Sequence, residues 1–342
     1  MKRRIAINGM GRIGRLVLRH VMQSEKLELV AVNDIAAPGN IAYLLRHDSV
    51  YPDPIERITA DEGTLYWGDQ AIALHSQDSP RQLPWRELEI DTVVEATGAF
   101  RGKGEPELHL QAGGKRVVVT APTKDPDHLM VCMGVNEDAF DPEHHRVVSN
   151  ASCTTNCLAP VLKVLDAAFG IETAFMTTVH AYTSSQSIVD GPHKKLRRGR
   201  AAAVSIVPTT SGATSATEKV LPQLEGKLDG LAMRVPVSAG SIVDLVAQTT
   251  RVIDRDRVAE AFRQASQTDR LMGILGVTDD ELVSVDIVGS EHSALVDLGE
   301  IRVLGDRALK VLAWYDNEWG YAKRVVDLTA YMASRGRGRM AS

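Results

Sequence analysis

Residues 5–14 of the chain read Ile-Ala-Ile-Asn-Gly-Met-Gly-Arg-Ile-Gly. The apolar start of this stretch predicts a short buried strand, and the apolar residues within 16–21 recur at helical spacing. Gly9, Gly11 and Gly14 therefore form a G-x-G-x-x-G pattern between a strand and a helix. There the first glycine permits a tight turn, the second lets a pyrophosphate approach the backbone, and the third lets helix and strand pack closely. The stretch predicts a Rossmann-type α/β domain with a doubly wound parallel sheet that binds a dinucleotide at a helix N-terminus.

An acidic residue, Asp34, ends the next apolar run, residues 29–34, and lies 20 residues after Gly14. A carboxylate at this place is expected to bind the ribose 2′-hydroxyl of a dinucleotide and would repel a 2′-phosphate. The pattern therefore favours NAD over NADP. The alternative is that Asp34 only caps the turn formed by residues 36–39.

Two further strand-like runs, residues 91–98 and 116–122, end in small polar residues that include Thr97 and Thr120. Ligands of open parallel sheets bind beyond the carboxyl ends of the strands, so both threonines are candidates for cofactor binding. They could equally belong to ordinary loops. Residues 49–74 contain turn sequences between short alternating pieces, which predicts antiparallel strands added to the sheet.

The composition is that of a globular protein: 342 residues, of which 44% are hydrophobic and 24% charged, a length that suggests two domains. A net charge of −5 argues against general binding to nucleic acid or to an acidic membrane. Three cysteines argue against a disulfide framework and indicate a reducing compartment. The apolar run at residues 5–7 is too short for a signal peptide core or a membrane span, so we expect a cytoplasmic protein.

Small hydroxyl and amide residues surround a thiol in residues 149–157, Ser-Asn-Ala-Ser-Cys-Thr-Thr-Asn-Cys, and an apolar segment with helical spacing follows up to residue 169. Ser152 is a good N-cap and places Cys153 in the first helical turn, where backbone N–H groups and the helix dipole favour a thiolate. Cys153 is therefore the candidate nucleophile. It could instead be a small buried residue, as we expect for Cys157. The two cysteines are four residues apart, which indicates neither a redox pair nor a metal site, and Pro160 should bend or interrupt the helix.

The second half of the chain supplies a candidate base and candidate anion-binding residues. His180 closes a strand-like alternation and could serve as the base for a thiol, or as one structural histidine among ten. The basic run 193–200 fits a small anionic substrate, nucleic acid or a solvated surface, although it contains no aromatic residue. The hydroxyl- and glycine-rich loop 208–212 and Arg234 could complete a phosphate site.

For the second domain the alternation predicts a mostly antiparallel sheet with helices on one side, an α+β arrangement. The predicted strands are residues 170–180, 228–235, 242–250, 283–287, 294–297 and 309–315, and the predicted helices are residues 256–267 and 322–332. The basic tail from Arg335 onward is predicted to be disordered.

These motifs together resemble the phosphorylating glyceraldehyde-3-phosphate dehydrogenase family. The resemblance covers roughly residues 3–332 and rests on the cysteine stretch, the Asn-Gly-x-Gly-Arg-Ile-Gly-Arg turn at 8–15 and Val-His-Ala-Tyr-Thr at 179–183. It implies NAD-dependent oxidative phosphorylation of D-glyceraldehyde 3-phosphate to 1,3-bisphosphoglycerate through a thioester on Cys153, with His180 as the base and no metal. It also implies a homotetramer whose chain has an NAD-binding domain (1–150), a catalytic domain (151–315) and a C-terminal helix (316–342) that returns to the NAD-binding domain.

The resemblance also assigns binding residues. Those for NAD are Gly9, Gly11, Arg12, Ile13, Gly14, Asp34, Thr97, Thr120 and Asn317, with Arg12 and Ile13 at the pyrophosphate and Asn317 at the nicotinamide amide. Those for the sugar phosphate are Thr183 and Arg234, and those for inorganic phosphate are Ser152, Thr154, Arg198, Ser211 and Gly212.

Two positions depart from the family pattern. Asp78 stands where a basic residue contacts the adenine side of the cofactor, and Ser211 stands where a threonine is expected, with the hydroxyl kept. The nearest alternative function is an erythrose-4-phosphate dehydrogenase of the same superfamily, which ends in hydrolysis. A different class of alternative is a non-enzymatic nucleic-acid or scaffold binder that uses residues 194–200.

Overall fold

The computed structural model describes residues 2–54 and 56–335. It divides into two compact units. Unit 1 comprises Met1–Val131, Glu137–Ala151 and Ala322–Ser342, and unit 2 comprises Cys132–Asn136 and Ser152–Tyr321. The predicted disordered tail beyond Arg335 lies outside the described residues.

Unit 1 is built on a parallel sheet with helices in the connections. Its described strands are β1 (Arg3–Asn8), β2 (Leu27–Asn33), β3 (Ile58–Asp61), β4 (Thr64–Trp67), β5 (Gln70–His75), β6 (Thr92–Glu95), β7 (Arg116–Val119), β8 (Leu129–Met130) and β9 (Val147–Ser149). Its helices are α1 (Arg12–Met22), α2 (Pro38–Arg46) and α3 (Glu107–Gln111).

The strand order in this sheet is β3-β4-β5-β2-β1-β6-β7-β9-β8. All neighbours from β5 to β8 pair in parallel, whereas β3, β4 and β5 pair in antiparallel fashion. The parallel α/β sheet and the antiparallel addition predicted for residues 49–74 are both confirmed. The chain order reverses between β1 and β6, and ligands of such sheets bind at the carboxyl ends of the strands beside that reversal.

Unit 2 carries a mixed sheet. Its helices are α4 (Cys153–Phe169), α5 (Ala213–Val220) and α6 (Arg255–Ser266), and its strands are β10 (Ile171–Ala181), β11 (Val207–Thr210), β12 (Leu228–Val235), β13 (Ser241–Thr249), β14 (Leu275–Thr278), β15 (Ala294–Leu304) and β16 (Ala308–Tyr315). Helix α7 (Trp319–Arg335) begins in unit 2 and continues in unit 1.

The strand order of the second sheet is β11-β12-β10-β13-β16-β15-β14. Only the β12–β10 and β15–β14 pairs are parallel, so the prediction of a mostly antiparallel sheet is confirmed. Helix α4 is buried on nearly every side, as expected for a helix that is apolar all round. It runs through Pro160 as one helix, so it does not restart there, and a bend at Pro160 stays a prediction.

One predicted strand, residues 283–287, is wrong. The residues Ser284–Ile287 form a turn of 3₁₀ helix, and the Asp286 carboxylate accepts a hydrogen bond of 2.8 Å from the Val283 N–H. A short polar side chain that bonds a nearby backbone N–H offers the chain an alternative to a strand ladder. The edge strands β11 and β14 were not predicted.

Across residues 2–54 and 56–335, none of the helices is both long enough and apolar enough to cross a membrane.

Candidate active site

The glycine turn in unit 1 has the geometry that a bound pyrophosphate needs. Gly9 has φ +97°, and a Cβ placed there would lie 2.7 Å from the Thr97 backbone nitrogen. A Cβ on Gly14 would lie 1.9 Å from the Gly9 carbonyl oxygen, whereas a Cβ on Gly11 would meet nothing within 4 Å. The first and third glycines therefore permit close packing, and the second leaves space for a ligand. Since α1 begins at Arg12, the first turn that offers its N–H groups to an anion includes Ile13.

Gly14→Ala should therefore destabilise unit 1 by at least about 3 kcal/mol, because the clash is between backbone and Cβ and no flexible side chain can relieve it. Gly39→Ala is the matched control, since Gly39 lies in α2 and a Cβ there meets nothing within 4 Å. Urea unfolding of both variants measures the difference. Equal unfolding midpoints for the two variants would contradict the packing role given to Gly14.

Asp34 has the capping role considered from sequence, and it also bonds to the glycine turn. Its Oδ2 accepts a hydrogen bond of 2.6 Å from the Met10 N–H of the glycine turn, and its Oδ1 accepts one of 2.8 Å from Ala36 N–H. The carboxylate therefore braces the turn and caps the following one, and its remaining lone pairs can still accept from a ribose hydroxyl. The Arg12 side chain pairs with Asp48 at 2.5 Å, so its contribution to a pyrophosphate site would come from its backbone.

The two threonines predicted at strand ends use their hydroxyls within the protein. Thr97 donates its N–H to Glu95 Oε1 at 2.8 Å and its hydroxyl to the same oxygen. Thr120 donates its hydroxyl to the Glu95 carbonyl oxygen at 3.1 Å.

Asp78, the predicted departure on the adenine side, is exposed in the loop after β5. An open cradle at Gly11, a helix N-terminus and the Asp34 carboxylate together fit a dinucleotide.

In unit 2, helix α4 begins as predicted. Ser152 is the N-cap, and its Oγ accepts a hydrogen bond of 3.1 Å from Thr155 N–H. Cys153 occupies the first turn and is partly accessible, whereas Cys157 is fully buried with its Sγ 3.7 Å from the Ala313 carbonyl oxygen. The residue before the cap, Ala151, has φ +54°, a strained value for a residue with a side chain. This sharp turn directs the chain into the helix immediately before the thiol.

The structure brings Cys153 and His180 together. Cys153 Sγ lies 3.4 Å from His180 Nε2, within hydrogen-bond distance for sulfur. On the other side of the ring, His180 Nδ1 lies 2.7 Å from the Ala181 carbonyl oxygen and 2.5 Å from Arg234 Nη1. Arg234 Nη1 can only donate and the Ala181 carbonyl oxygen can only accept, so these two contacts with Nδ1 favour opposite tautomers of the neutral ring. In the tautomer with its proton on Nδ1, donated to Ala181, the imidazole presents the Nε2 lone pair to the thiol. That arrangement is the one a general base requires.

Burial decides the charge state of this pair. Burial raises the pKa of the Cys153 thiol, although Arg234 and hydrogen bonds from Thr154 act in the opposite direction. Burial, with a further contribution from the positive charge of Arg234, lowers the pKa of His180 to about 3. Desolvation is the largest cause of both shifts, and it opposes the thiolate that the helix end is expected to favour. These two directions favour a thiol beside a neutral imidazole at neutral pH, and the imidazole can accept the thiol proton in the tautomer that carries its own proton on Nδ1.

Tyr315 was missed by the sequence analysis. Its hydroxyl lies 2.9 Å from Thr154 Oγ1 and 2.8 Å from Thr178 Oγ1, and its ring meets the His180 ring edge-on at 5.9 Å. Tyr315 therefore joins the start of α4, β10 and the end of β16 around the reactive pair. The available signal was the apolar alternation at residues 309, 311, 313 and 315, which predicts a buried Tyr315, and a buried tyrosine usually finds partners for its hydroxyl.

Arg234 is placed beside the reactive pair by strand register, since it lies opposite His180 in the β10–β12 ladder. Its Nη1 donates to the Ala181 carbonyl oxygen at 2.9 Å. Its Nε is buried and has no hydrogen-bond partner among the described residues. Burial lowers the pKa of Arg234, and repulsion from Arg198 contributes, so two guanidinium groups lie near each other. A buried donor without a partner and a second nearby cation suit a bound anion.

The structure connects Arg198 with Thr183. Arg198 donates from Nε to Thr209 Oγ1 at 3.0 Å and from Nη1 to Ser185 Oγ at 3.5 Å, and Ser185 Oγ lies 2.9 Å from Thr183 Oγ1. One predicted residue of each phosphate site, Thr183 and Arg198, therefore belongs to the same cluster of polar groups. Gln186, which was not predicted, adds a buried Nε2 that has no partner among the described residues.

The remaining predicted residues use their polar groups locally. Ser211 Oγ accepts from Ala213 N–H at 3.1 Å, and Gly212 is the N-cap of α5, so both lie at a helix N-terminus. Asn317 Oδ1 accepts at 2.8 Å from Ser241 Oγ, which itself accepts from Ala181 N–H at 3.1 Å. Asn317 is therefore tied to the residue that follows His180, and its amide NH₂ remains to donate elsewhere.

Comparison with known proteins agrees with this geometry. The family model described as "Glyceraldehyde 3-phosphate dehydrogenase, NAD binding domain" matches residues 3–103. The model described as "Glyceraldehyde 3-phosphate dehydrogenase, C-terminal domain" matches residues 152–317.

Curated relatives match over nearly the whole chain. The chain is 50% identical to "Glyceraldehyde-3-phosphate dehydrogenase 2" of Bacillus subtilis over 335 residues, which cover 98% of each protein. It is 48% identical to "Glyceraldehyde-3-phosphate dehydrogenase" of Streptomyces coelicolor and 46% identical to the protein of that name from Geobacillus stearothermophilus, with 97% of this chain and 99% of each relative covered. The chain therefore belongs to the glyceraldehyde-3-phosphate dehydrogenase family.

Proposed function

We propose that this protein catalyses the NAD-dependent oxidative phosphorylation of D-glyceraldehyde 3-phosphate to 1,3-bisphosphoglycerate, a step of glycolysis and gluconeogenesis. The observation that carries the proposal is the 3.4 Å contact between Cys153 Sγ and His180 Nε2, beside the guanidinium of Arg234. A thiol, a neutral base and an anion-binding cation are the groups that an enzyme needs to oxidise a phosphorylated aldehyde through a covalent intermediate. Membership of the family supports the same reaction.

In the first step Cys153 Sγ forms a bond to the aldehyde carbon, and the thiol proton passes through His180 Nε2 to the former carbonyl oxygen. Backbone N–H groups in the first turn of α4 stabilise the negative charge that develops on that oxygen. His180 then removes the proton of the hemithioacetal hydroxyl as the hydride leaves, and a thioester on Cys153 remains. NAD, when bound, supplies the acceptor for this hydride. Inorganic phosphate attacks the thioester carbon, the Cys153 thiolate leaves, and the acyl phosphate is released.

Two groups of residues bind the two phosphate groups of the reaction. Thr183 and Arg234 hold the phosphate of the substrate, which is supported by the buried Arg234 Nε without a partner among the described residues. The attacking phosphate is held by Ser152, Thr154, Arg198, Ser211 and Gly212, of which Ser152, Ser211 and Gly212 lie at helix N-termini.

Asn317 donates to the nicotinamide amide, and the remaining cofactor contacts come from the glycine turn, Asp34, Thr97 and Thr120. Unit 1 is then the NAD-binding domain and unit 2 the catalytic domain.

We infer that the protein acts as a homotetramer in the cytoplasm. One face of the unit 2 sheet exposes apolar side chains, with Phe175 63%, Leu231 41% and Val246 47% exposed, and Phe175 is paired with Val246 across β10 and β13. An apolar sheet face of this kind suits contact with another copy of the chain. A nucleophilic thiol suits a reducing compartment.

The requirement for phosphate tests the reaction class. We expect NADH formation at 340 nm from glyceraldehyde 3-phosphate and NAD to fall at least about tenfold when inorganic phosphate is omitted, since hydrolysis of the thioester by water is much slower than attack by a bound phosphate. Arg198→Ala should raise the KM for phosphate more than the KM for the aldehyde. Steady-state NADH formation that is independent of phosphate, or faster with erythrose 4-phosphate, would favour the hydrolytic alternative.

A further inference from the structure

Unit 1 contains a buried polar network that the mechanism above does not use. Its centre is Glu95, the last residue of β6, whose side chain is 1% exposed. Glu95 Oε2 lies 2.6 Å from Asn8 Nδ2 and 2.9 Å from His109 Nε2. Glu95 Oε1 accepts the N–H of Thr97 at 2.8 Å and also the Thr97 hydroxyl. Four polar contacts from three residues therefore converge on one buried side chain.

The direction of the bond from His109 is fixed by Trp85. The indole Nε1–H of Trp85 lies 3.0 Å from His109 Nδ1, and an indole nitrogen can only donate. His109 Nδ1 must therefore accept, so the ring proton is on Nε2. His109 Nε2 then donates to Glu95.

The direction of the bond from Asn8 is fixed by the backbone of Gln77. The Gln77 N–H donates to Asn33 Oδ1 at 2.8 Å, and the Gln77 carbonyl oxygen accepts from Asn33 Nδ2 at 2.9 Å, which sets the orientation of the Asn33 amide. Asn33 Nδ2 also donates to Asn8 Oδ1 at 2.7 Å. Asn8 therefore turns its own NH₂ toward Glu95.

Two series of hydrogen bonds, one from Trp85 through His109 and one from Gln77 through Asn33 and Asn8, therefore end with a donor directed at Glu95. A protonated carboxylic acid would place its O–H against a group that is already donating, whereas a carboxylate accepts all four bonds. Glu95 is therefore held as a buried anion by charge-assisted hydrogen bonds, which are stronger than those between neutral groups. Such a charge is tolerated in the interior because each donor is directed at it.

The network connects the proposed NAD-binding residues Gly9, Asp34 and Thr97, which are called the cofactor cradle below. Asn8 directly precedes Gly9, Asn33 directly precedes Asp34, and Glu95 holds the backbone and hydroxyl of Thr97. These residues lie at the carboxyl ends of β1, β2 and β6, the three adjacent strands beside the chain reversal. We propose that Glu95 is a positioning residue whose buried carboxylate holds these strand ends in their binding geometry before the cofactor arrives, and thereby sets the affinity for NAD. The proposal rests on the proposed use of NAD.

Glu95→Gln tests the proposal with little change of shape, because it replaces one accepting oxygen by an NH₂ that faces fixed donors. We expect the Kd for NAD, measured by calorimetry, to rise about tenfold or more, the factor that corresponds to about 1.4 kcal/mol. The kcat at saturating NAD and the KM for the aldehyde should stay within about twofold. A variant with a lower melting temperature and an unchanged Kd would show a structural role only and would overturn the proposal. If the unmodified protein itself bound no NAD, the proposed function would fail instead.

The double variant Trp85→Phe/Glu95→Gln tests the direction of the bonds. Without the indole donor, His109 can carry its proton on Nδ1 and accept on Nε2 from the glutamine amide. We expect the double variant to bind NAD at least threefold more tightly than Glu95→Gln, although Trp85 is fully buried and its loss lowers stability. Additive effects of the two substitutions on the Kd would contradict the assigned directions.

Amide hydrogen exchange of the unmodified protein gives a test that needs no variant. Because Gln77 N–H and Thr97 N–H bond to Asn33 and Glu95, both amides should be protected before NAD is added. Exchange at the rate of an open loop in the protein without NAD, followed by protection on adding it, would show that the cradle forms only with the cofactor. That result would also overturn the proposal.

Discussion

Cys153→Ser should lower dehydrogenase turnover by a factor on the order of 10³ or more, which is the scale of loss when the nucleophile of a covalent mechanism is removed. Serine keeps the size of the side chain, so the helix start and the contact with His180 are expected to survive. A hydroxyl is a much weaker nucleophile than a thiol beside the same base, because it gives up its proton less readily. Steady-state NADH formation at saturating substrate measures the effect.

Cys157→Ser is the matched control. Cys157 lies on the same helix, is fully buried and contacts the Ala313 carbonyl oxygen rather than His180. We expect its turnover to stay within about threefold of the unmodified protein and its melting temperature to fall, since a polar hydroxyl enters an apolar site. Turnover that survives Cys153→Ser but fails in Cys157→Ser would transfer the nucleophile to the deeper cysteine.

Alkylation tests independently whether Cys153 is the reactive thiol. Cys153 is the partly accessible cysteine, whereas Cys132 and Cys157 are buried, so iodoacetamide should label one thiol per chain. Cys153→Ser should abolish that labelling, and the labelling rate should rise with pH, because burial raises the pKa of the Cys153 thiol. Equal labelling of the unmodified protein and the variant would show that another thiol is the reactive one.

The features that were correctly predicted from sequence depend on neighbours along the chain. The glycine turn needs only residues 9–14 between a strand and a helix, and the Ser152 cap needs only the hydroxyl and the N–H three residues later. Both are therefore visible in a short window. The wrong strand at 283–287 is a failure of the same local reasoning, because alternation favoured a strand whereas the Asp286 carboxylate closed a turn.

The features that sequence could not supply depend on packing between distant segments. The contact between Cys153 and His180 joins residues 27 apart, and the Tyr315 bridge to Thr154 joins residues 161 apart. The charge state of the pair also depends on this packing. Helix position is visible in sequence, but the burial that raises the pKa of Cys153 and lowers that of His180 exists only after the fold has formed.

His180→Asn should lower kcat by about 10²–10⁴, the usual contribution of a positioned general base, while the KM for the aldehyde changes little. Asparagine is shorter and cannot accept the thiol proton, so both the attack of Cys153 and the removal of the hydroxyl proton slow down. His128→Asn is the control for removal of a mostly buried histidine, because His128 pairs with Glu107 in unit 1 and has no part in the proposed chemistry. A loss of kcat in the control equal to that in His180→Asn would contradict the assigned role.

The pH dependence of stability tests the burial of His180 independently of catalysis. Because burial and Arg234 lower the pKa of His180 from 6.5 to about 3, the unfolded chain binds a proton at this residue between these values that the folded chain does not bind. The free energy of unfolding of the unmodified protein therefore falls as pH decreases below 6.5, and the part due to His180 is absent in His180→Asn. The variant should gain stability relative to the unmodified protein by about 2 kcal/mol between pH 8 and pH 5.

Urea unfolding of the two proteins at a series of pH values measures this difference, with His128→Asn unfolded under the same conditions for comparison. A difference between His180→Asn and the unmodified protein that stays constant from pH 8 to pH 5 would mean that the imidazole titrates alike in the folded and unfolded chains. In that case His180 would be charged over part of the working pH range and could not serve there as the proton acceptor for Cys153. The 3.4 Å contact between Cys153 Sγ and His180 Nε2 would then be that of an ion pair rather than of a thiol beside a neutral base.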